Sequence, residues 1–419
     1  MSRTVRTELI TRPGGDPHTE IAELRQRCPV HPIDFPPRSQ AYVVLDHETA
    51  IRALNDPRLS KDINNALDWF RDQAVENSAV LSSNMMTADP PEHTRLRKLV
   101  GRAFLPRPME LLRPRIQQIT DDLIDAFPDS GELDLLTAFA FPLPLMVICE
   151  FLGIRYEDRD LFRRWGTVLS QDPGRETEEE TSARRLANDE VDDYLTKVLA
   201  DRRADPRDDH ISDLVRLADT EGEYTDEELV STIIFLIIAG HKTTANLIGN
   251  GTEALLRHPD QLALLRADPG LVQSAVEEFL RYEGSVDRAT VRFAAQDLSL
   301  GGVDIPRGSF VHISVQAAGR DPLVFADPNR FDITRSPNRH MAFGHGAHFC
   351  AGAPLARLEG QVAFAALLRR LPVLEPAVPV EELEWIADSS ISRGLVSLHW
   401  RSVEDRVASV ISGADAKVS

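Results

Sequence analysis

The sequence predicts a mainly α-helical chain with small β-sheets, and three observations carry that reading. Residues 105–203 show apolar residues at mostly helical spacing. A long helix starts at Thr225-Asp-Glu-Glu228, a capping box in which the Thr225 side chain caps and Glu228 reaches back, and it runs to Arg257, just before His258-Pro259. The β-type runs are short by comparison: 41–45, 285–293, a hairpin over 297–310 turning at Gly301 and Gly302, and 383–400.

No Gly/Ser-rich linker or break in composition divides the 419 residues. One domain is therefore expected over 17–401, with a loose polar arm at 1–16 and a polar tail at 402–419. A hydrophobic fraction of 42% supports a sizeable core. The formal charge of −19 argues against nucleic acid or an anionic membrane as the main partner. Cys28, Cys149 and Cys350 are too dispersed for a disulfide framework or a cysteine-built zinc site, and Cys149 reads as core within the apolar stretch 139–152. The N-terminal residues lack the apolar centre of a signal peptide. The longest apolar run, 233–239, is too short to span a bilayer. A soluble cytoplasmic protein is expected.

In chain order, Thr19–Arg27 has helical spacing, and the strand at 41–45 leads into a helix over 47–55 that stops before Asp56-Pro57. Residues 58–88 show no period and hold Trp69, Phe70, Leu81, Met85 and Met86 among polar residues, which suits a packed loop or a lid over a substrate. Asp89-Pro90-Pro91-Glu92 reads as a helix start with Asp89 as N-cap. The helix that follows carries His93 and Arg97 on one face, either a solvated basic face or one that grips carboxylates. The acidic run at 178–180 reads as a solvated face.

The long helix spans roughly 48 Å at 1.5 Å per residue. Residues 233–239 are apolar all round, so its middle is buried. Within it, Ala239-Gly240-His241-Lys242-Thr243-Thr244 weakens the backbone ladder and favours a local kink or bulge, with back-bonded threonines as the plain structural alternative. Gly240 would let a flat group lie against the backbone, and Thr243 offers a hydroxyl in apolar surroundings.

Phe343 to Gly352 reads FGHGAHFCAG. Gly344, Gly346 and Gly352 allow close approach of backbone to something flat or bulky. Backbone N–H groups around Cys350, and the helical pattern beginning just after it, should lower the thiol pKa and suit a metal-ligating thiolate. Phe343 would cover one side of the sulfur, and His348 is a further donor. A structural cysteine in a glycine turn is the alternative.

The spacing Phe343-x-x-Gly346-x-His348-x-Cys350-x-Gly352 resembles the heme-binding loop of the cytochrome P450 family. His93-Thr-Arg-Leu-Arg97 is similar to that family's propionate-binding helix, and Ala239 to Thr244 to its oxygen-activating segment. Glu278-x-x-Arg281 with Arg330 looks like its structural Glu-Arg-Arg network. The motifs come in family order, and the resemblance covers about residues 40–400. It implies heme b (iron protoporphyrin IX) between the central helix and a loop in which Cys350 ligates the iron. His93, Arg97, Arg292, His348, Phe343 and Gly352 are then cofactor contacts, and Ala239, Gly240, Lys242 and Thr243 form the catalytic segment. Substrate-facing positions implied are Phe70, Leu81, Met86, Phe235, Val286, Ala289 and Ile391, with Asp287 or Arg288 as a charged handle and the turn at 389–392 as a further lining tip. The family has an acid where this chain has Lys242. That departure puts proton delivery in doubt, because a protonated lysine donates and does not accept.

The implied activity is monooxygenation of a small apolar molecule by hydroxylation, epoxidation or oxidative coupling, as a natural-product tailoring step. A catabolic hydroxylase and a peroxide-using peroxygenase are the alternatives, with a non-catalytic scaffold behind them. Ferredoxin and ferredoxin reductase are the implied electron donors, since the chain shows no flavin, iron–sulfur or dinucleotide motif of its own. A monomer is expected.

Overall fold

The helix Asp226–Arg257 is the axis about which the other helices are laid, in a computed structural model that describes residues 18–34, 39–71, 83–101, 103–128, 132–169, 177–371, 376–386 and 391–401. The expected arm, the expected tail and Leu81 lie outside those residues. The capping box forms as read: the Glu228 N–H donates to the Thr225 hydroxyl at 3.2 Å, and the Thr225 N–H donates to the Glu228 carboxylate at 3.0 Å. Ile233, Ile234 and Ile237 are buried. By length and composition this helix could cross a bilayer, but 67% of its most apolar window is covered by the protein's own packing. It packs on the helices Pro142–Leu152, Ala353–Arg370 and Val272–Tyr282. Close approach there depends on Gly251, where a Cβ would sit 2.6 Å from the Phe364 ring and 2.8 Å from that of Phe279.

The strands are β1 (Val30–Ile33), β2 (Ala41–Val44), β3 (Leu59–Ser60), β4 (Glu132–Asp134), β5 (Arg292–Ala294), β6 (Leu298–Leu300), β7 (Val303–Ile305), β8 (Phe310–Ile313) and β9 (His399–Arg401). Five of them form one sheet in the order β1-β2-β8-β5-β3, and β4–β9 and β6–β7 form two-stranded sheets. The β6–β7 hairpin turns at Gly301 (φ 57°) and Gly302 (φ 81°), the left-handed pair that a two-residue hairpin loop favours. Ser60 pairs with Phe293 at the sheet edge, which brings Lys61 alongside Arg292.

The structure departs from expectation in several places. The strand expected over 285–293 is regular only from Arg292. Upstream, the Asp287 N–H bonds the Ile391 carbonyl (2.8 Å) while the Ala289 N–H bonds the Ile313 carbonyl (2.9 Å), so the segment is shared between two partners and ladders with neither. Over 383–400 the described residues make only isolated bridges, Trp385–Leu395 within the range and Ser392 to Val286 and Trp400 to Pro376 outside it, besides the start of β9. The acidic run 178–180 is exposed, as expected, and forms the first turn of the helix Glu178–Ala204, where a second capping box at Thr177 and the helix dipole both favour it. Of the two readings of 58–88, residues 61–71 fit the packed one: the Phe70 ring meets that of Phe310 edge-on at 4.9 Å, with Trp69 5.6 Å away.

The ion-pair network forms with a different third member. Glu278 and Arg281 are fully buried and joined by two bonds of 2.8 Å. Arg335, not Arg330, closes it at 3.3 Å from Glu278. Arg330 is exposed and contributes its backbone carbonyl, which accepts from both Arg281 and Arg335 at 3.0 Å.

Candidate functional site

The Cys350 loop is shaped by its own backbone. Gly344 (φ 72°) and Gly346 (φ 74°) take the left-handed conformation that other residues adopt at a cost. At Gly346 a Cβ would also lie 2.6 Å from Asn55 Oδ1. The Cys350 N–H donates to the Phe343 carbonyl at 2.9 Å, and the helix Ala353–Arg370 starts directly afterwards. The N–H groups of Gly352 and Ala353 both donate to the sulfur. Phe343 lies under the Arg357 guanidinium, 4.5 Å from its ring centre. Arg357 is held in turn by Glu277, which also takes a bond from His340. Burial works to raise the Glu277 carboxyl, yet the bonds from His340 and Arg357 bring it down to about 2.

The expected lowering of the Cys350 thiol is not found. Burial pushes it up, and the two N–H groups with Arg97 and Arg357 only partly offset that. Cys350 is nonetheless accessible, so it sits in a recess open on one side. A cation bound at the sulfur is what would stabilise the thiolate there.

Beside the sulfur lies a concentration of cationic groups. The His93 and His348 rings are 4.2 Å apart. Arg97 donates to the Phe349 carbonyl at 2.7 Å, and Arg292 makes only long bonds of 3.4 Å to the Leu54 and Leu59 carbonyls. Burial, then the charges of Lys61, His93, Arg292 and Arg97, drive His348 down to about 2. Burial lowers Arg292 to about 10. His93 and Arg292 are each 4% exposed, and His93 Nε2 and Arg292 Nε have no partner among the described residues. Buried donors are ordinarily satisfied. Asp89 stands at the start of the following helix, Glu92–Gly101, its carbonyl accepting from the His93 N–H at 2.9 Å, while its carboxylate is engaged elsewhere. It accepts from the Ser60 hydroxyl and from the Lys61 N–H (2.9 Å), binding β3 to the His93 helix.

On the central helix the 239–244 segment stays α-helical, without the expected bulge. The Thr243 hydroxyl donates to the Ala239 carbonyl at 2.6 Å. At Gly240 a Cβ would lie 3.7 Å from Ile148, in ordinary contact. His241 is pushed down to about 4 by burial and then by Lys242, and its Nε2 is buried without a partner among the described residues. Sequence reasoning missed the acid opposite this segment. Glu359, nine residues after Cys350, is 2% exposed, hydrogen-bonded to Thr244, and raised by burial to about 8. A lone acid inside an apolar helical stretch was the available signal.

The substrate-facing expectations separate. Phe235 packs half-buried against the main core, and Met86 is half-buried with its N–H on Asn84. Val286 and Ala289 pack against the core beside the sheet, and Ile391 is tied to Asp287 by its carbonyl. Phe70 is locked in the aromatic cluster on the sheet. Asp287 and Arg288 are not a free handle: they pair at 3.5 Å with Arg288 1% exposed, and Ser314 bonds the Asp287 carboxylate at 3.3 Å.

A thiol in a recess, with converging cations and two unsatisfied buried donors alongside, fits a flat metal macrocycle that carries two carboxylates. The comparisons agree with that chemistry. The family model for cytochrome P450 matches residues 168–384. The chain belongs to the cytochrome P450 family. It is 45% identical over 394 residues to the cytochrome P450 monooxygenase PikC of Streptomyces venezuelae, covering 92% of this chain and 91% of that one. Among solved structures it superimposes at TM-score 0.92 and 56% identity on CxnD, the P450 for C–S bond formation in chuangxinmycin biosynthesis, covering 96% and 98% of the two chains. A myxobacterial P450 solved with myristic acid, CYP267B1, is 41% identical at TM-score 0.89, covering 94% and 97%. This P450 is a heme b monooxygenase.

Proposed function

We propose that this P450 oxidises a small, largely apolar natural-product precursor with electrons from a ferredoxin and its reductase, and that C–S bond formation is its outcome. The observation that carries the oxidative reading is the Cys350 recess with its neighbouring cation cluster. The choice of outcome rests on the likeness to CxnD and on Lys242 in the place of the family's acid. Cys350 would hold the iron, with Phe343 and Gly352 beside it, and His93, Arg97, Arg292 and His348 would hold the two carboxylates. Bound heme supplies oxidation of the substrate by activated oxygen, the thiolate favouring O–O cleavage.

The chain's own residues bias the result. Gly240 adds no side chain to the middle of the central helix, and its bare side meets Ile148. The Thr243 hydroxyl donates its hydrogen bond to the Ala239 carbonyl, so its oxygen is left as an acceptor. Lys242 places an ammonium where the family's pattern has an acid that would relay protons, which disfavours proton-demanding oxygen insertion.

Two measurements test this. Optical titration of the ferric protein with thiol-bearing, macrolide and cyclic-dipeptide scaffolds should give a saturable shift of the Soret band toward high spin with the thiol-bearing set. Lys242→Glu should shift products toward oxygen insertion and change product formed per NAD(P)H consumed, since a positioned proton donor contributes roughly a hundredfold or more to the step it serves. Unchanged products and coupling would remove Lys242 from the account.

A further inference from the structure

Lys61 is a buried cation for which no described residue supplies a direct counter-charge. It is 6% exposed, and the two hydrogen bonds of its ammonium go to neutral groups, the Thr290 hydroxyl (2.7 Å) and the Val291 carbonyl (2.8 Å). Its backbone N–H bonds Asp89, whose carboxylate is also engaged by Ser60. Burial, and next the charge of Arg292, hold its pKa well below the ordinary lysine value, with Asp89 opposing them. Burying a lysine this way is costly unless something repays it. In a chain whose cations are mostly arginine, a lysine here is also the compact, strongly hydrated choice.

The surroundings say what repays it. By the strand register Lys61 lies alongside Arg292, whose own hydrogen bonds, to the Leu59 and Leu54 carbonyls, are long at 3.4 Å. Two members of the cation cluster, His93 Nε2 and Arg292 Nε, are buried donors without a partner among the described residues. Five cationic or protonatable groups thus converge where the one carboxylate acting on His93, Lys61 and Arg292 alike is Asp89. Such a site is complete only with an anion of more than one charge.

We infer that Lys61 is a fifth arm of the carboxylate-binding site of the heme, a positioning residue whose charge tightens heme retention and raises the reduction potential of the iron. The inference rests on the heme reading above. A positive charge held in a low-dielectric site favours the more reduced, more negative state of its neighbour. The brace to Thr290 and Val291 holds the ammonium against the residues just before the strand that carries Arg292.

The test uses the holoenzyme at fixed pH and ionic strength, reading the reduction potential by spectroelectrochemistry and heme loss by transfer to apomyoglobin. Lys61→Met should move the ferric–ferrous equilibrium about tenfold toward ferric, a downward shift of ~59 mV for one electron, and heme should leave roughly tenfold faster. Lys61→Arg keeps the charge and should restore most of the potential. Thr290→Val removes part of the brace without removing charge. It should lower the thermal midpoint and leave the potential near wild type. Where Lys61→Met fails to fold, Lys61→Gln predicts the same downward shift. Potentials of Lys61→Met and wild type that coincide, with only the thermal midpoint reduced, would make Lys61 a brace and overturn the inference. A wild-type chain that retains no heme overturns the heme reading itself, and this inference with it.

Discussion

Glu278→Ala is expected to destabilise the protein by about 3–5 kcal/mol, the usual cost of breaking a buried pair from one side. The carboxylate is fully buried and serves three partners besides Arg281, namely Arg335 at 3.3 Å, the Asp332 N–H at 2.9 Å and Asn338 at 3.1 Å, while Arg281 itself donates to the carbonyls of Gly319, Pro328 and Arg330. Its loss leaves two guanidiniums without a counter-charge and frees the 331–342 meander that leads into the Cys350 loop. Thermal midpoint and heme retention should fall together. Arg335→Ala should show the same pattern more weakly, whereas Arg330→Ala should stay within about 0.5 kcal/mol, since only the backbone of that residue takes part. A large effect at Arg330 with none at Arg335 would reverse the assignment.

Glu359→Gln carries the second large effect, and its sign depends on pH. Burial raises the Glu359 carboxyl from 4.5 to about 8, with the Thr244 bond pulling the other way. Between those values the folded protein keeps a proton that the unfolded chain has lost. Its contribution to stability is therefore fully present below pH 4.5 and is lost as pH rises through 8, at about 1.4 kcal/mol per pH unit. From pH 5 to pH 8 that amounts to roughly 4 kcal/mol. Glutamine can keep a bond to Thr244 and does not titrate. The thermal midpoint of Glu359→Gln, relative to wild type at each pH, should therefore climb steadily from pH 5 to pH 8. A constant offset over that range would mean that Glu359 is ionised in the folded protein.

Features set by local spacing were legible in the sequence. The Cys350 loop depends on glycines and a cysteine within ten residues, and the central helix declares itself by a capping box four residues long. The Glu278–Arg281 pair was visible as two residues on one helical face. Its third member was not, because the path of the meander decides whether Arg330 or Arg335 reaches the carboxylate. Lys61 and Glu359 were missed for the same reason. Each meets its partners across a sheet edge or between two helices, at 229 residues' separation in the bond of Lys61 to Thr290. The thiol shows the opposite error. Its N–H donors were local and foreseeable, while the burial that outweighs them comes from the whole fold.

The central claim is that Cys350 holds heme iron through its sulfur, and the optical spectrum of the reduced, carbonmonoxy-bound protein tests it most directly. The wild-type chain should show the red-shifted Soret band of thiolate ligation. Cys350→Ser should lose that band while the heme, still gripped through its carboxylates, is partly retained. A heme-loaded wild type without the thiolate band, or one whose band survives Cys350→Ser, would contradict the account.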